Sequence, residues 1–490
     1  MPISPVSVRG LEMKPALPVL LIAGLVAGCS TAPKYVRPAL PAPAVVTAGL
    51  AAGPESPSAG NIAQPADVAW RDFFTDERLR SVIALSLEQN RDLRIAMANV
   101  AQARALYRVE RANLIPTVAA SGSASFERTP GAVAGNRAAA GAATGAVETD
   151  LYRAGVGVSA WEIDLFGRVR NLTESAQQAY FASEANRDAA RTALIAEVAS
   201  AWLTLAAEED RLQIARDTAA TFGETSAITR GRAGEGVASD LEVRQAQTSY
   251  DQARSDIAAA TTAVAQAENA LDLLVGASVP DALRPHALGV RDVTLAALPA
   301  DLPSSVLLRR PDVVAAEHQL KAANADIGAA RAAFFPTISL TTALGAVSPE
   351  LSGLFKGGSD FWSVAPSASV PLLDFGRNRG NLRYAEATRD AKAAAYEKTV
   401  QTAFREAADA LARRATMDQQ LDAQVSLADN AAAAHRIAEA RYTEGVDPFL
   451  TTLDSQRTLY AAQQSLLATR LTRQINAVEL YRALGGGLLR

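Results

Sequence analysis

The chain of 490 residues has one cysteine, three histidines, four methionines and only 6% aromatic residues. A single thiol cannot close an internal disulfide, so a disulfide scaffold is excluded. So few soft ligands leave no relay for metal ions. Nor does charge of one sign dominate: 48 Lys and Arg stand against 52 Asp and Glu, a net charge of −4. This slight acidity supplies no electrostatic attraction to phosphate backbones and argues against nucleic acid as a partner. The hydrophobic content is 49%, much of it alanine, with a mean hydropathy of +0.04. Alanine-rich, aromatic-poor composition favours long, closely packed helices.

No apolar run near the N-terminus is long enough to span a bilayer. Lys14 precedes about 14 apolar residues, where a spanning helix needs about 20, so the segment reads as a signal peptide over residues 1–28. Leu25-Val26-Ala27-Gly28-Cys29 resembles a bacterial lipobox, and the one cysteine of the chain falls at its cleavage point. Cys29 is therefore the expected lipidation site, and its acyl chains would hold the mature N-terminus on a membrane. No other cofactor is expected. Ser30, rather than Asp, follows Cys29, a pattern that resembles lipoproteins bound for the outer membrane. Met13 is an alternative start, because residues 1–12 add nothing the signal needs. Residues 29–66, with Pro38, Pro41, Pro43, Pro54 and Pro57, read as a lipidated, extended tether.

The remainder is one unit written twice, over 67–279 and 280–490. Asp92/Asp312, Val100/Leu320, Arg111/Arg331 and Pro116/Pro336 are each 220 positions apart, whereas Phe166/Phe375, Gly236/Gly445, Leu241/Leu450 and Gln247/Gln456 are 209 apart. A repeat of this length is a duplicated domain rather than a solenoid unit. Each copy begins with a helical pattern, Asp92 to Arg111 or Asp312 to Arg331, ended by proline. Period-two alternation follows: Val118, Ala120, Gly122, Ala124 and Phe126 against Ser121, Ser123 and Ser125, and Ile338, Leu340, Leu344 and Ala346 against Ser339 and Thr341. Return strands carry Tyr152, Val156 and Val158 in the first copy and Trp362, Val364, Val370 and Leu372 in the second. Flexible loops are expected at Pro130 to Thr149 and Ser348 to Asp360. Strands of about ten residues match an outer membrane. Four cannot close a barrel in lipid, where open edges leave backbone groups unsatisfied, so other copies must supply the rest. Two copies give eight strands and three give twelve, and the arithmetic does not choose. Two soluble hairpins packed on helices are the alternative.

Proline is then absent from 131–279 and from 372–447. Apolar residues such as Leu194, Val198, Trp202, Leu205 and Leu212 recur at helical spacing. Helices from Gly167 to Arg232 and from Gly376 to Arg441 would reach roughly 100 Å. Each meets a glycine turn, Ala233-Gly234-Glu235-Gly236-Val237 or Thr443-Glu444-Gly445-Val446-Asp447-Pro448, and returns as a second helix, to about Val275 or Leu484.

These residues resemble the outer membrane factors of tripartite efflux systems, the TolC superfamily, and within it lipoproteins such as OprM and NodT. The likeness covers nearly the whole mature chain. It rests on Trp70-Arg71-Asp72-Phe73-Phe74, Glu162-Ile163-Asp164-Leu165-Phe166-Gly167-Arg168, Arg309-Arg310-Pro311-Asp312, Phe335-Pro336-Thr337, Asp374-Phe375-Gly376-Arg377, Leu453-Asp454-Ser455-Gln456-Arg457 and Leu484-Gly485-Gly486-Gly487. The resemblance implies a mixed α+β membrane protein: a homotrimer whose four strands per chain complete a twelve-stranded barrel, continued by a twelve-helix periplasmic tunnel. Its implied partners are outer-membrane lipid, a periplasmic adaptor and an inner-membrane pump of the resistance-nodulation-division type. A duct for type I protein secretion is the nearest alternative, and a lipid-anchored coiled-coil scaffold without a pore is one of a different class.

No catalytic motif is present. Gly231 to Gly236 is glycine-rich but lacks the Lys-Ser/Thr and the preceding strand of a nucleotide site, and His286, His318 and His435 are scattered, with no metal-ligand spacing. Leu450, Asp454 and Arg457, at i, i+4 and i+7, share one helix face. By resemblance they form the closed periplasmic gate; a solvated ion pair is the alternative. The first copy has Leu241, Gln245 and Thr248 there, so the charged pair belongs to the second copy alone. Gly236, Val237, Leu241, Gly445, Val446 and Leu450 are the expected adaptor contacts at the tip turns; glycines serving only the turn are the alternative reading.

Overall fold

The computed structural model describes residues 31–39, 43, 45–46, 68–130, 146–289, 293–294 and 302–486. The signal segment and Cys29 lie outside them. Helices α1 (Glu77–Gln89) and α2 (Arg91–Ala112) lead into strands β1 (Val118–Thr129) and β2 (Val147–Glu162), then helices α3 (Arg168–Gly234) and α4 (Asp240–Val275). The second copy repeats the order as α5 (Pro311–Ala332), β3 (Thr337–Ser348), β4 (Asp360–Ser369), α6 (Arg377–Thr443) and α7 (Phe449–Ala483).

Local chemistry sets these boundaries. Asp76 caps α1 by accepting from the Arg78 and Leu79 amides. Asn90 separates α1 from α2: its Oδ1 accepts from the Leu93 amide at 2.8 Å while its Nδ2 donates to Leu274 O at 2.7 Å. Helices α3 and α6 are each 67 residues long, about 100 Å at 1.5 Å per residue. An apolar window in α3 would pass for a membrane span by composition, but 56% of it is buried within the protein.

The chain divides into two compact units, each drawing on both sequence copies. One comprises the described residues within 31–37, 102–180 and 318–393 and holds the sheet, β1-β2-β3-β4, antiparallel throughout. Its register pairs Ala120 with Val156, Val156 with Leu344, and Leu344 with Trp362, so apolar side chains share one face and Ser, Gly and Thr the other. A bulge interrupts β2 between Val158 and Trp161, where Ala160 has φ +50°. Two expectations need correction here. Val370 and Leu372 lie beyond β4, because Pro371 has no amide to extend the ladder. The loop after β3 carries local structure that the expectation of a flexible loop left out: Leu351–Gly353 forms a 3-10 turn, and Ser359 Oγ donates to Leu354 O at 2.7 Å.

The described start of the tether is docked on this unit. Thr31 Oγ1 donates to Gly328 O at 2.7 Å, Asn324 Nδ2 donates to Pro33 O at 2.8 Å, and the Lys321 ammonium lies 5.4 Å from the Tyr35 ring centroid. A side chain at Gly328 would strike Asn171 and Ala32.

The other unit comprises the described residues within 38–101, 181–317 and 394–486. Its core gathers Trp70, Phe73, Phe74, Trp202, Leu203 and Tyr481, which explains the aromatic motif near the start of the body. Phe73 and Tyr481 stack at 3.9 Å. Trp202 Nε1 donates to Leu283 O, and Tyr481 Oη donates to Val68 O. Arg310 is nearly buried and bonds Asp312, Glu406 and the Ala483 carbonyl.

Candidate functional site: the hairpin tips

The second unit ends in two helical hairpins, α3–α4 and α6–α7. Both turn through a glycine in the left-handed region, Gly236 at φ +73° and Gly445 at +74°, which a Cβ would strain. In each, the following amide reaches back over the helix end, Val237 N to Arg232 O and Val446 N to Arg441 O, both at 2.8 Å. The return helices start differently. Ser239 and Glu242 form a reciprocal capping box on α4, whereas Pro448 precedes α7 with no side-chain cap. In the second turn Asp447 accepts two bonds from Arg441. Hydrogen bonding to the Arg441 guanidinium holds the Asp447 carboxyl below the usual carboxylate range. The matched apolar pairs Val237/Val446 and Leu241/Leu450 are all exposed.

Leu450, Asp454 and Arg457 also lie on an exposed face of α7, while Leu453 and Gln456, one residue before Asp454 and Arg457, are buried. No ion pair joins Asp454 to Arg457. Arg457 Nη2 instead donates to Ser249 Oγ on α4 at 3.0 Å. One turn on, Tyr460 Oη donates to Asp256 Oδ2 at 3.1 Å. Burial first, then the Asp256 charge, pushes the Tyr460 hydroxyl up to about 12. These groups, with Phe222, Gln252 and Ala253, line a cleft of about 420 Å³. Two more bonds cross between the hairpins: Gln456 Nε2 donates to Thr225 Oγ1 at 2.9 Å, and Arg232 Nη1 donates to Tyr442 O at 3.0 Å with its guanidinium over the Tyr442 ring.

The predicted residues thus fall together at one end of the unit. Ser249, Asp256, Tyr460 and Gln456, which bond one hairpin to the other, are additions from the structure. The repeat did not signal Ser249, because the counterpart of Arg457 is its neighbour Thr248. Of the histidines, His286 is exposed, His318 Nδ1 lies 2.6 Å from Gln178 Oε1, and His435 is buried with Nδ1 3.3 Å from Ser455 Oγ. Among the described residues no cluster of three or more His, Cys, Asp or Glu could hold a metal ion.

Comparison with known proteins gives this arrangement its context. The family model described as "Outer membrane efflux protein" matches residues 82–277 and 302–486, one stretch in each copy. The chain belongs to the outer membrane efflux protein family. It is 43% identical over 463 residues to the solvent efflux pump outer membrane protein SrpC of Pseudomonas putida, covering 94% of this chain and 96% of SrpC. The antibiotic efflux pump outer membrane protein ArpC of Pseudomonas putida is also 43% identical, over 97% of this chain and 96% of ArpC. Among solved structures, the open state of the MtrE outer membrane channel of Neisseria gonorrhoeae superposes with a TM-score of 0.81 and 38% identity, over 94% of this chain and 99% of that one. As an outer membrane efflux protein the chain is a transport channel of the cell's outer membrane, not an enzyme, and it shares the fold of these channels.

Proposed function

We propose that three copies of this efflux protein close one twelve-stranded barrel and form a passive exit duct, gated at the hairpin tips by Leu450, Asp454 and Arg457. The observation that carries this reading is the sheet: among the described residues the outer edges of β1 and β4 have no partner strand, although one face of the sheet is apolar enough for lipid. An open edge in a bilayer is untenable, so the strands must be continued by other copies. The opposite face, with Ser121, Ser123, Ser125, Thr341, Gly345 and Ser367, makes an unselective polar lining. Selection then resides upstream, in an inner-membrane pump of the resistance-nodulation-division type reached through a periplasmic adaptor. That adaptor packs on Gly236, Val237, Leu241, Gly445, Val446 and Leu450, where both turns expose apolar side chains.

The names of SrpC and ArpC make organic solvents and antibiotics the proposed cargo class, and favour small-molecule efflux over protein secretion. Cys29 carries the lipid anchor, two residues before the Thr31 clamp on Gly328. The test is single-channel conductance of purified protein in planar bilayers, with its mass measured in detergent. Trimers giving a small current that grows when the tips are opened are expected. A folded, inserted protein that never conducts would return the scaffold without a pore.

A further inference from the structure

The duplication specifies how one copy of the chain meets the next. Within the sheet, the β1–β2 hairpin pairs Val118 with Val158, and β3–β4 pairs Ile338 with Ala368. Strand β3 is therefore β1 shifted by 220 positions. Strand β4 is β2 shifted by 210 before the Ala160 bulge and by 209 after it, since β4 lacks the bulged residue. Within the sheet, the two halves of the described chain meet at β2 and β3, where Gly155 faces Gly345 and Trp161 faces Leu340. Carrying that join over by the same shifts pairs β4 with a β1 strand that this chain cannot itself present, because β1 and β4 are opposite edges of the sheet.

We infer that β4 of one copy pairs antiparallel with β1 of the next in a single register, in which partner positions sum to 490: Ser363 with Glu127, Ala365 with Ser125, Ser367 with Ser123. This rests on the assembly of copies proposed above. Two observations independent of the ladder agree with it. First, the register sets Val364 opposite Phe126 and Pro366 opposite Ala124, so the apolar faces stay continuous across the seam; a slip of one residue would turn every side chain over.

The second lies at the strand-to-helix junction. Phe166 stacks on Phe335, with ring centroids 4.7 Å apart and an interplanar angle of 13°. The counterparts are Phe375 and Ile115, and neither packs within the chain: Phe375 is 100% exposed and Ile115 68% exposed. Phe375 is also held at φ +52°, a conformation uncommon for an aromatic residue. An exposed, strained ring whose duplicate is stacked is explained when Ile115 of the neighbouring copy covers it.

Paired cysteines read the register directly. Directly opposed strand residues lie within disulfide reach, whereas diagonal neighbours about 7–8 Å apart do not. The double variant Ser125→Cys/Ala365→Cys, oxidised in membranes, is expected to give covalent dimers and trimers on non-reducing gels. Ser123→Cys/Ala365→Cys and Glu127→Cys/Ala365→Cys are expected to remain monomeric, as are the single variants, which control for Cys29. Ser363→Cys/Glu127→Cys repeats the test one step along the seam should the first pair fail to fold. Cross-linking in a diagonal pair, or in none while the protein assembles and conducts, overturns the register and leaves the channel reading standing. Wild-type protein that is monomeric and silent in bilayers overturns both.

Discussion

Arg457 and Ser249 join the two hairpins: the guanidinium of the second copy's return helix donates at 3.0 Å to the hydroxyl of the first copy's return helix. The charged pair is therefore divided in its work, with Arg457 tethered and Asp454 exposed. Truncating both, in Asp454→Ala/Arg457→Ala, is expected to raise single-channel conductance sharply. Ser249→Ala removes only the acceptor, a bond of about 1 kcal/mol, and should shift the open-to-closed ratio roughly fivefold. Gln245→Ala/Thr248→Ala, at the matching positions of the first copy, should do little. Equal effects at both sites would sink the asymmetry.

Tyr460 makes the second tie. Because its hydroxyl is pushed up to about 12, it remains a donor to Asp256 at every physiological pH. Tyr460→Phe deletes that bond while keeping the ring, and is expected to increase conductance without lowering thermal stability by more than about 1–2 kcal/mol. An unchanged current would remove Tyr460 from the gate.

The ends of the helices were legible because they rest on local chemistry: Pro116 and Pro336 follow α2 and α5, and Gly236 and Gly445 supply the positive φ after α3 and α6. The duplication made each reading twice, which is why α3 and α6 emerge at equal length. Bonds between helices were not legible. Whether Arg457 reaches Asp454 or Ser249 depends on how α7 is rotated against α4, and spacing within one helix is silent on that. Val370 and Leu372 misled because their alternation continues past Pro371, whose missing amide ends the ladder. The docking of the tether's first residues was not legible either: a proline-rich segment lacks regular structure, yet Thr31 and Pro33 find partners on α5.

Arg310 tests the motif whose role lies in packing. It is nearly buried, bonding two carboxylates and the carbonyl at the end of α7. Arg310→Ala leaves the partly solvated Asp312 and Glu406 without their cation, and loss of hydrogen bonds to charged groups costs about 1.5–3 kcal/mol. Arg310→Lys should not restore it, because an ammonium cannot span three acceptors in a fixed fork. Heat stability of the purified protein, followed by circular dichroism, checks both; a wild-type melting temperature for the lysine variant would refute the need for the fork.

His435 gives the tips a pH response of calculable sign. Burial holds its imidazole below the ordinary 6.5, against the opposing pull of Glu439 on the same helix. Facing it are Ser455, Gln456 and Tyr460 on α7 and Asp217, Thr218 and Thr221 on α3. A depressed folded-state value means that the unfolded chain binds the proton more readily, so stability from neutral His435 is present above about pH 6.5 and is lost as pH falls through the depressed value. Charging it places a cation beside Ser455, the residue after Asp454, and loosens the packing of α6 on α7. Conductance and proteolysis at the tip turns should therefore rise as pH falls from about 7 to about 5. His435→Gln should flatten the response, and Glu439→Gln, which removes the group opposing burial, should move it to lower pH. An unaltered pH curve for His435→Gln would show that the response belongs to other groups.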